Sequence, residues 1–186
     1  MKWLFTIVIS SFLISGLSAQ EVNSTKESRK EASRRKKEIK QAKIDSEYRA
    51  TDTLLVAKRF VLEAQYLSNS RGSRVLVTQN LNFISVDSDY AIVQVGSPQR
   101  AGVNGVGGVT VQGRVSNWKF SKDDRRKNFN LFLTVQTNSG IYDINISVDY
   151  SANADATITG LRSGSLKLSG TIVAQEDSLI FKGQSR

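Results

Sequence analysis

Neither cysteine nor histidine occurs anywhere in the 186 residues. Without cysteine the fold holds together with no disulfide, and no lipid anchor can be joined through a cysteine at a signal cleavage point. Without histidine the chain lacks the commonest metal ligand, the commonest general base near neutral pH, and every Ser-His or Cys-His nucleophilic arrangement. Most hydrolase chemistry is thereby excluded, and no cofactor is implied. Carboxylate pairs, Ser-Lys dyads and tyrosine acids are what remain for an enzyme. Long apolar runs are missing too. A spanning helix needs roughly 20 apolar residues, and the stretch from Trp3 to Leu17 is interrupted by Thr6, Ser10, Ser11, Ser15 and Gly16.

That stretch fits an export signal instead: Lys2 gives a positive start, Leu4 to Ile14 an apolar centre, and Ser18-Ala19 a small-residue end. The reading predicts a signal peptide over residues 1–19 with cleavage after Ala19. It places the mature chain in the periplasm or outside the cell, with no transmembrane segment left after cleavage. The remaining 167 residues suffice for one domain with a real core.

The net charge of +9 is concentrated in one segment. Between Lys26 and Lys43 nine cations (Lys26, Arg29, Lys30, Arg34, Arg35, Lys36, Lys37, Lys40, Lys43) face three acids, Glu27, Glu31 and Glu38. Residues 44–186 carry only +3. From Val22 to Lys58 there is no proline or glycine, and strong helix formers dominate. A charged helical segment is expected over residues 20–58, with Ser24 or Thr25 as N-cap and Glu27 and Glu31 near the positive end of its dipole. Ala32, Ile39 and Ala42 make only a thin apolar stripe, so its first half should be solvated. Beyond Ile44 the apolar content rises, and that half can dock on the domain.

After Ser68 the apolar pattern takes period two and keeps it to the end. Phe129, Leu131, Leu133 and Val135 share one face, the turn Asn138-Ser139-Gly140 follows, and Tyr142, Ile144, Ile146 and Val148 continue beyond it. Asp143, Asn145, Ser147 and Asp149 alternate with them, which describes a hairpin with one dry and one wet face. Leu166, Leu168, Gly170, Ile172 and Ala174 repeat the scheme. In the run from Val109 the apolar parity shifts between Val115 and Trp118, so a bulge is expected near Ser116-Asn117. The expected fold is mainly β: an antiparallel sandwich or strongly curled sheet of about 7–8 strands over residues 59–186, preceded by the basic N-terminal α-helix.

The order of an exported chain, the helix SRKEASRRKKEIKQAKIDSE, then FVLEAQYL, a glycine-rich middle and NFNLFLTVQTNSGIYDINISVDYSANADATI resembles domain-of-unknown-function family 4251, exported proteins of Gram-negative bacteria. The resemblance implies a periplasmic or secreted β domain after a charged helix. It brings no established activity and no site residues.

Candidate sites follow from the residues. Arg34, Arg35, Lys36 and Lys37 could contact an anionic surface such as a glycolipid or membrane, although no Trp, Phe or Leu interleaves them and a solvated spacer is the plainer role. Nucleic acid is the weakest of the anionic partners, because export removes it. Arg100 opens a stretch rich in glycine that fits neither phosphate-loop nor dinucleotide pattern, a strand connection or flap. Trp118, Phe120 and Tyr142 could line a pocket for a small apolar ligand, or simply be core. Lys122 to Lys127 mixes two carboxylates with four cations and reads as a solvated turn. No metal site and no catalytic residue is assigned.

The expected function is that of a non-catalytic envelope module that binds a partner: an envelope protein, an anionic glycolipid or a small apolar ligand. Two alternatives stay open. One is a carboxylate-dependent enzyme acting on envelope glycans, which needs two carboxyl groups about 5–10 Å apart. The other is a structural homo-oligomer using a sheet edge or the Ile39 and Ala42 stripe.

Overall fold

A computed structural model describes residues 17–96, 108–161 and 164–183. The signal stretch through Gly16, and Arg100 with the glycines Gly102, Gly105 and Gly107, lie outside the described residues. The chain divides into two compact units, residues 1–43 and 44–186.

Helix α1 spans Leu17–Val56, so Ala19 sits on helical backbone. In the first unit every residue from Lys26 to Lys40 is exposed. Arg34 pairs with Glu38 at 3.2 Å and Arg35 with Glu31 at 3.6 Å, each one helical turn apart. Exposed pairs of this kind add only tenths of a kcal/mol, roughly 0.3–0.5 each. Ile39 is 70% exposed, as a thin stripe requires.

In the second unit the helix buries Tyr48, Thr51 and Leu55, a spacing of three and four that lines up one face. The helix ends through Lys58, whose amide donates to the Leu55 carbonyl and whose φ of 53° turns the chain into the first strand.

Among the described residues nine strands follow: β1 (Arg59–Asn69), β2 (Arg74–Leu76), β3 (Phe83–Asp87), β4 (Tyr90–Val95), β5 (Val109–Asp123), β6 (Asn128–Thr137), β7 (Gly140–Asp149), β8 (Asn153–Leu161) and β9 (Gly164–Ala174). All described pairings are antiparallel. From β3 each strand pairs with the next in sequence to β9, and β9 closes on β1 from Phe60↔Ala174 to Asn69↔Leu166. On its other edge β1 gives its first half to β3 and its second half to the short β2.

The domain is therefore a closed eight-stranded antiparallel barrel with one extra strand, and the expected sandwich or curled sheet is overturned. All these architectures share the same period-two pattern and turn spacing. What separates them is whether strands 100 residues apart meet, and alternation carries no such information. Gly170 makes the meeting feasible. A Cβ there would overlap the backbone carbonyl of Glu63, at the point where the β1 register slips between Ala64 and Tyr66.

An eight-stranded barrel is just wide enough for side chains to fill it. Here Phe60, Leu62, Ile84, Val86, Phe129, Leu131, Leu133, Ile144, Ile146, Ile158 and Leu168 are buried to within 1% of completely in one cluster. Each such side chain stabilises the fold by about 1.5–3 kcal/mol before ordering entropy is subtracted. Tyr48 and Leu55 belong to the same cluster, so the second half of α1 stoppers the end at which β6 begins. The expected hairpin is β6 and β7 with the predicted inward residues. The expected bulge is also present: the β5 register slips between Ser116 and Lys119, with Asn117 at φ 52°.

Candidate functional site

With its interior occupied, the barrel offers ligands its outer wall. Strand pairing brings the outward side chains of β6 to β9 and β1 into cross-strand rows. One row runs Asn130, Ser147, Asp155, Ser169 and Tyr66, each Cα-paired with the next. The row beside it runs Phe132, Asn145, Thr157, Lys167 and Ser68. Five adjacent strands set about 19 Å between the row ends.

Two depressions lie along these rows. The larger, about 620 Å³, is lined by Asn130, Phe132, Asn145, Thr157, Thr159 and Lys167 among others; the second, about 350 Å³, by Gln65, Tyr66, Arg74, Asp149, Asn153 and Ser169 among others. Ser147 and Asp155 line both, so the two form one groove.

Asp155 is its centre. Lys167 Nζ lies 3.0 Å from one carboxylate oxygen, and the Ser169 hydroxyl donates to the other at 2.5 Å. Partial burial works to raise the Asp155 pKa, but the hydrogen bonds from Ser169 and Lys167 and the charges of Lys167 and Arg74 outweigh it. The carboxyl is held below the usual carboxylate range and stays ionised, an acceptor rather than a proton donor. On either side, Thr134 donates to Asp143 at 2.7 Å, and Asp149 accepts from Ser151 and Asn153.

Each end of the groove has a ring with a cation over it. The Arg74 guanidinium sits 3.8 Å from the Tyr66 ring centre, and Lys119 Nζ 5.7 Å from that of Phe132. Hydroxyls, amides and three carboxylates, Asp143, Asp149 and Asp155, offset by Arg74, Lys119 and Lys167, lie between two aromatic rings and suit a ligand rich in hydroxyl groups and poor in net charge.

The sequence-derived candidates fall elsewhere. Trp118 packs beside Phe60 with 6.5 Å between rings and lies under Lys58 Nζ; Phe120 stacks on Phe129 at 6.0 Å; Tyr142 is buried on the inward face of β7. The three share the core and line neither depression. Arg34, Arg35, Lys36 and Lys37 are exposed on α1.

The turn from Lys122 to Lys127 proves to be more than solvated. Asp123 accepts the amides of Arg125 and Arg126, which shapes the turn. Its neighbours reach α1: Lys122 pairs with Asp52 at 2.9 Å, Lys127 with Asp45 at 3.3 Å, and Asp124 accepts from the Tyr48 hydroxyl at 2.8 Å. Burial, then the Asp124 hydrogen bond, raises the Tyr48 pKa to about 12. The cluster fastens the helix to the barrel. Among the described residues no group of three or more Asp or Glu side chains is placed to hold a metal ion, and no helix is long and apolar enough to cross a membrane.

Asn145, Ser147, Thr157, Asp155 and Lys167 were legible only as wet positions of separate strands. The wet face of β7 was the one available signal, and pairing order alone turns it into part of a groove.

No curated protein matches the chain. A solved structure, a DUF4251 family protein from Bacteroides eggerthii DSM 20697, is 35% identical; the match covers 76% of this chain and 96% of that one, with a TM-score of 0.61. The family model described as Domain of unknown function (DUF4251) matches residues 42–172. That span begins just before the docked half of α1 and ends at Ile172, two residues short of the end of β9, and the chain belongs to this family.

Proposed function

We propose that this protein is an exported, non-catalytic binding module whose barrel holds a glycan in the groove across β6 to β9. The observation that carries the proposal is the continuity of the groove through Ser147 and Asp155, with hydrogen-bonding groups between the rings of Tyr66 and Phe132. A filled barrel interior argues against an enclosed apolar ligand, and an Asp155 whose carboxyl is held below the usual carboxylate range argues against a proton-donating glycosidase acid at the groove centre.

The remainder of the reading rests on the sequence. Residues 1–19 support export to the periplasm or beyond, and the cations of α1 support contact with an anionic glycolipid or membrane surface while the barrel engages its ligand. A mature N-terminus at Gln20 in the envelope or medium is the expected product.

The test is a glycan array probed with the mature protein, followed by calorimetry on the bound glycans. Asn145→Ala and Phe132→Ala should each weaken binding at least tenfold with the circular dichroism spectrum unchanged. Absence of binding to any glycan, or equal binding by both variants, would overturn the groove assignment.

A further inference from the structure

Past β9 the chain makes a short 3-10 turn, Gln175–Asp177, and then runs without regular structure through Gly183. Closure of the barrel does not involve this tail: the β1 to β9 ladder ends at Phe60↔Ala174, and the family match ends at residue 172. Yet the tail is held at defined points. The Phe181 amide donates to the Asn80 carbonyl at 2.9 Å, and the Ser178 hydroxyl donates to Glu63 at 2.5 Å.

Gln94 is the centre of the attachment. It lies on β4 between Val93, in the core cluster, and Val95, which packs against that cluster, so alternation points Gln94 outward. It is nevertheless completely buried. A side-chain amide has two donor hydrogens and two acceptor lone pairs. The Gln94 nitrogen donates to the carbonyls of Leu81 at 3.3 Å and Phe181 at 2.7 Å, while its oxygen accepts from the Thr110 hydroxyl at 2.9 Å and the Gly183 amide at 2.7 Å. Half of that capacity is met by the tail, through the two peptide groups flanking Lys182. The Lys182 ammonium in turn reaches Gln112 at 2.5 Å.

Of the tail's three large apolar side chains only Ile180 is half-buried; the two beside it stay in solvent. Leu179 is 87% exposed and Phe181 60%. Recognition is thus mainly of backbone, with the Ser178 hydroxyl, the half-buried Ile180 and one lysine added, the division of labour seen when an extended peptide is added to a sheet, with Gln94 standing in for the strand edge. A segment held by few hydrogen bonds and little apolar burial sits at the low end of local stability and opens readily.

We propose that the outer face around Gln94 is a peptide-binding site for an extended Phe-Lys-Gly segment, occupied in cis by residues 181–183 and open to the same segment of a second copy of this chain when the cis tail is off. The local concentration of the attached tail favours the cis form, so binding in trans is visible once that tail is weakened.

The experiment uses the full chain carrying F181P and G183P, which removes both tail amide donors and leaves the barrel sequence intact. A fluorescent peptide of residues 177–186 is titrated against it and followed by anisotropy. Saturable binding is expected, at least tenfold tighter than to the wild-type chain, whose own tail competes. Adding Q94A should weaken it at least tenfold. Because Gln94 is buried and that variant can fail to fold, Gln112→Ala, at an exposed position, supplies a second readout: threefold or greater weakening that disappears when the peptide carries alanine in place of Lys182. Failure of the folded F181P/G183P chain to bind, equal binding by the wild type, or binding indifferent to both Gln94 and Gln112 would each overturn the assignment.

Discussion

Tyr48, on the docked half of α1, donates its hydroxyl hydrogen to Asp124 on the β5–β6 turn, 76 residues away, at 2.8 Å, while its ring stacks on Phe129 at 4.6 Å. One side chain thus joins helix, turn and barrel core. The hydroxyl is useful there only while it is protonated.

The first prediction follows from that requirement. Burial and the Asp124 hydrogen bond raise the Tyr48 pKa from 10.0 to about 12, so the folded state holds a proton that the unfolded state releases at lower pH. The contribution is fully present below pH 10 and is lost as pH rises toward 12. Absorbance titration near 295 nm should show one of the five tyrosines ionising late. Tyr48→Phe should remove that late phase, keep the ring stack and cost about 1 kcal/mol at neutral pH. A single phase near pH 10 in the wild type would contradict the environment assigned to Tyr48.

Barrel closure depends on close approach of β1 and β9. At Gly170 a methyl group would meet the Glu63 carbonyl, which belongs to a backbone that cannot rotate away. Gly170→Ala should therefore destabilise by about 1–3 kcal/mol in urea unfolding, through forced displacement of the ladder. Gly72→Ala is the companion control with a different cause: nothing lies within 4 Å of its added Cβ, and only its φ of 83° opposes the change. Its cost should stay near 1 kcal/mol.

Asp155 makes the third prediction. Its depressed pKa contributes stability above the unfolded value near 3.8, and that contribution is lost as pH falls through the folded value. Ser169→Ala and Lys167→Met should each move the carboxyl titration, followed by carbon NMR, upward toward the ordinary range. No movement in either variant would show that these partners do not hold the charge.

A fourth prediction concerns α1. Replacing Arg34, Arg35, Lys36 and Lys37 by glutamine removes four exposed cations and should leave the melting temperature nearly unchanged, since their ion pairs are solvated. Near an anionic bilayer each cation is worth about 1 kcal/mol. Cosedimentation with vesicles rich in phosphatidylglycerol should therefore fall at least tenfold, and wild-type binding should weaken with salt. Equal cosedimentation would leave the segment a spacer.

Leu55 and Gln94 mark how far sequence reading reaches. The rise in apolar content beyond Ile44 already allowed the helix to dock, and Leu55 is fully buried. Nothing local signalled that Gln94, a polar residue at an outward position, would be buried, because its cover comes from residues 87 and 89 positions later. Trp118, Phe120 and Tyr142 read as core more readily than as pocket lining; Tyr142 lies in the core cluster, and Trp118 and Phe120 pack against it.

By itself, then, the sequence determined the elements: a proline- and glycine-free basic helix, period-two strands with dry and wet faces, the β6–β7 turn and the β5 bulge. These are local, set by backbone sterics, propensity and the alternation of side chains along a strand. The tertiary structure alone decided that β1 and β9 meet, that the sheet closes into a filled barrel, that wet faces of five strands align into a groove, and that the tail lies on Gln94. Each of those depends on register between segments tens of residues apart, where many arrangements bury the same apolar faces. Close approach at Gly170 and the hydrogen bonds of Tyr48, Asp155 and Gln94 distinguish the one observed.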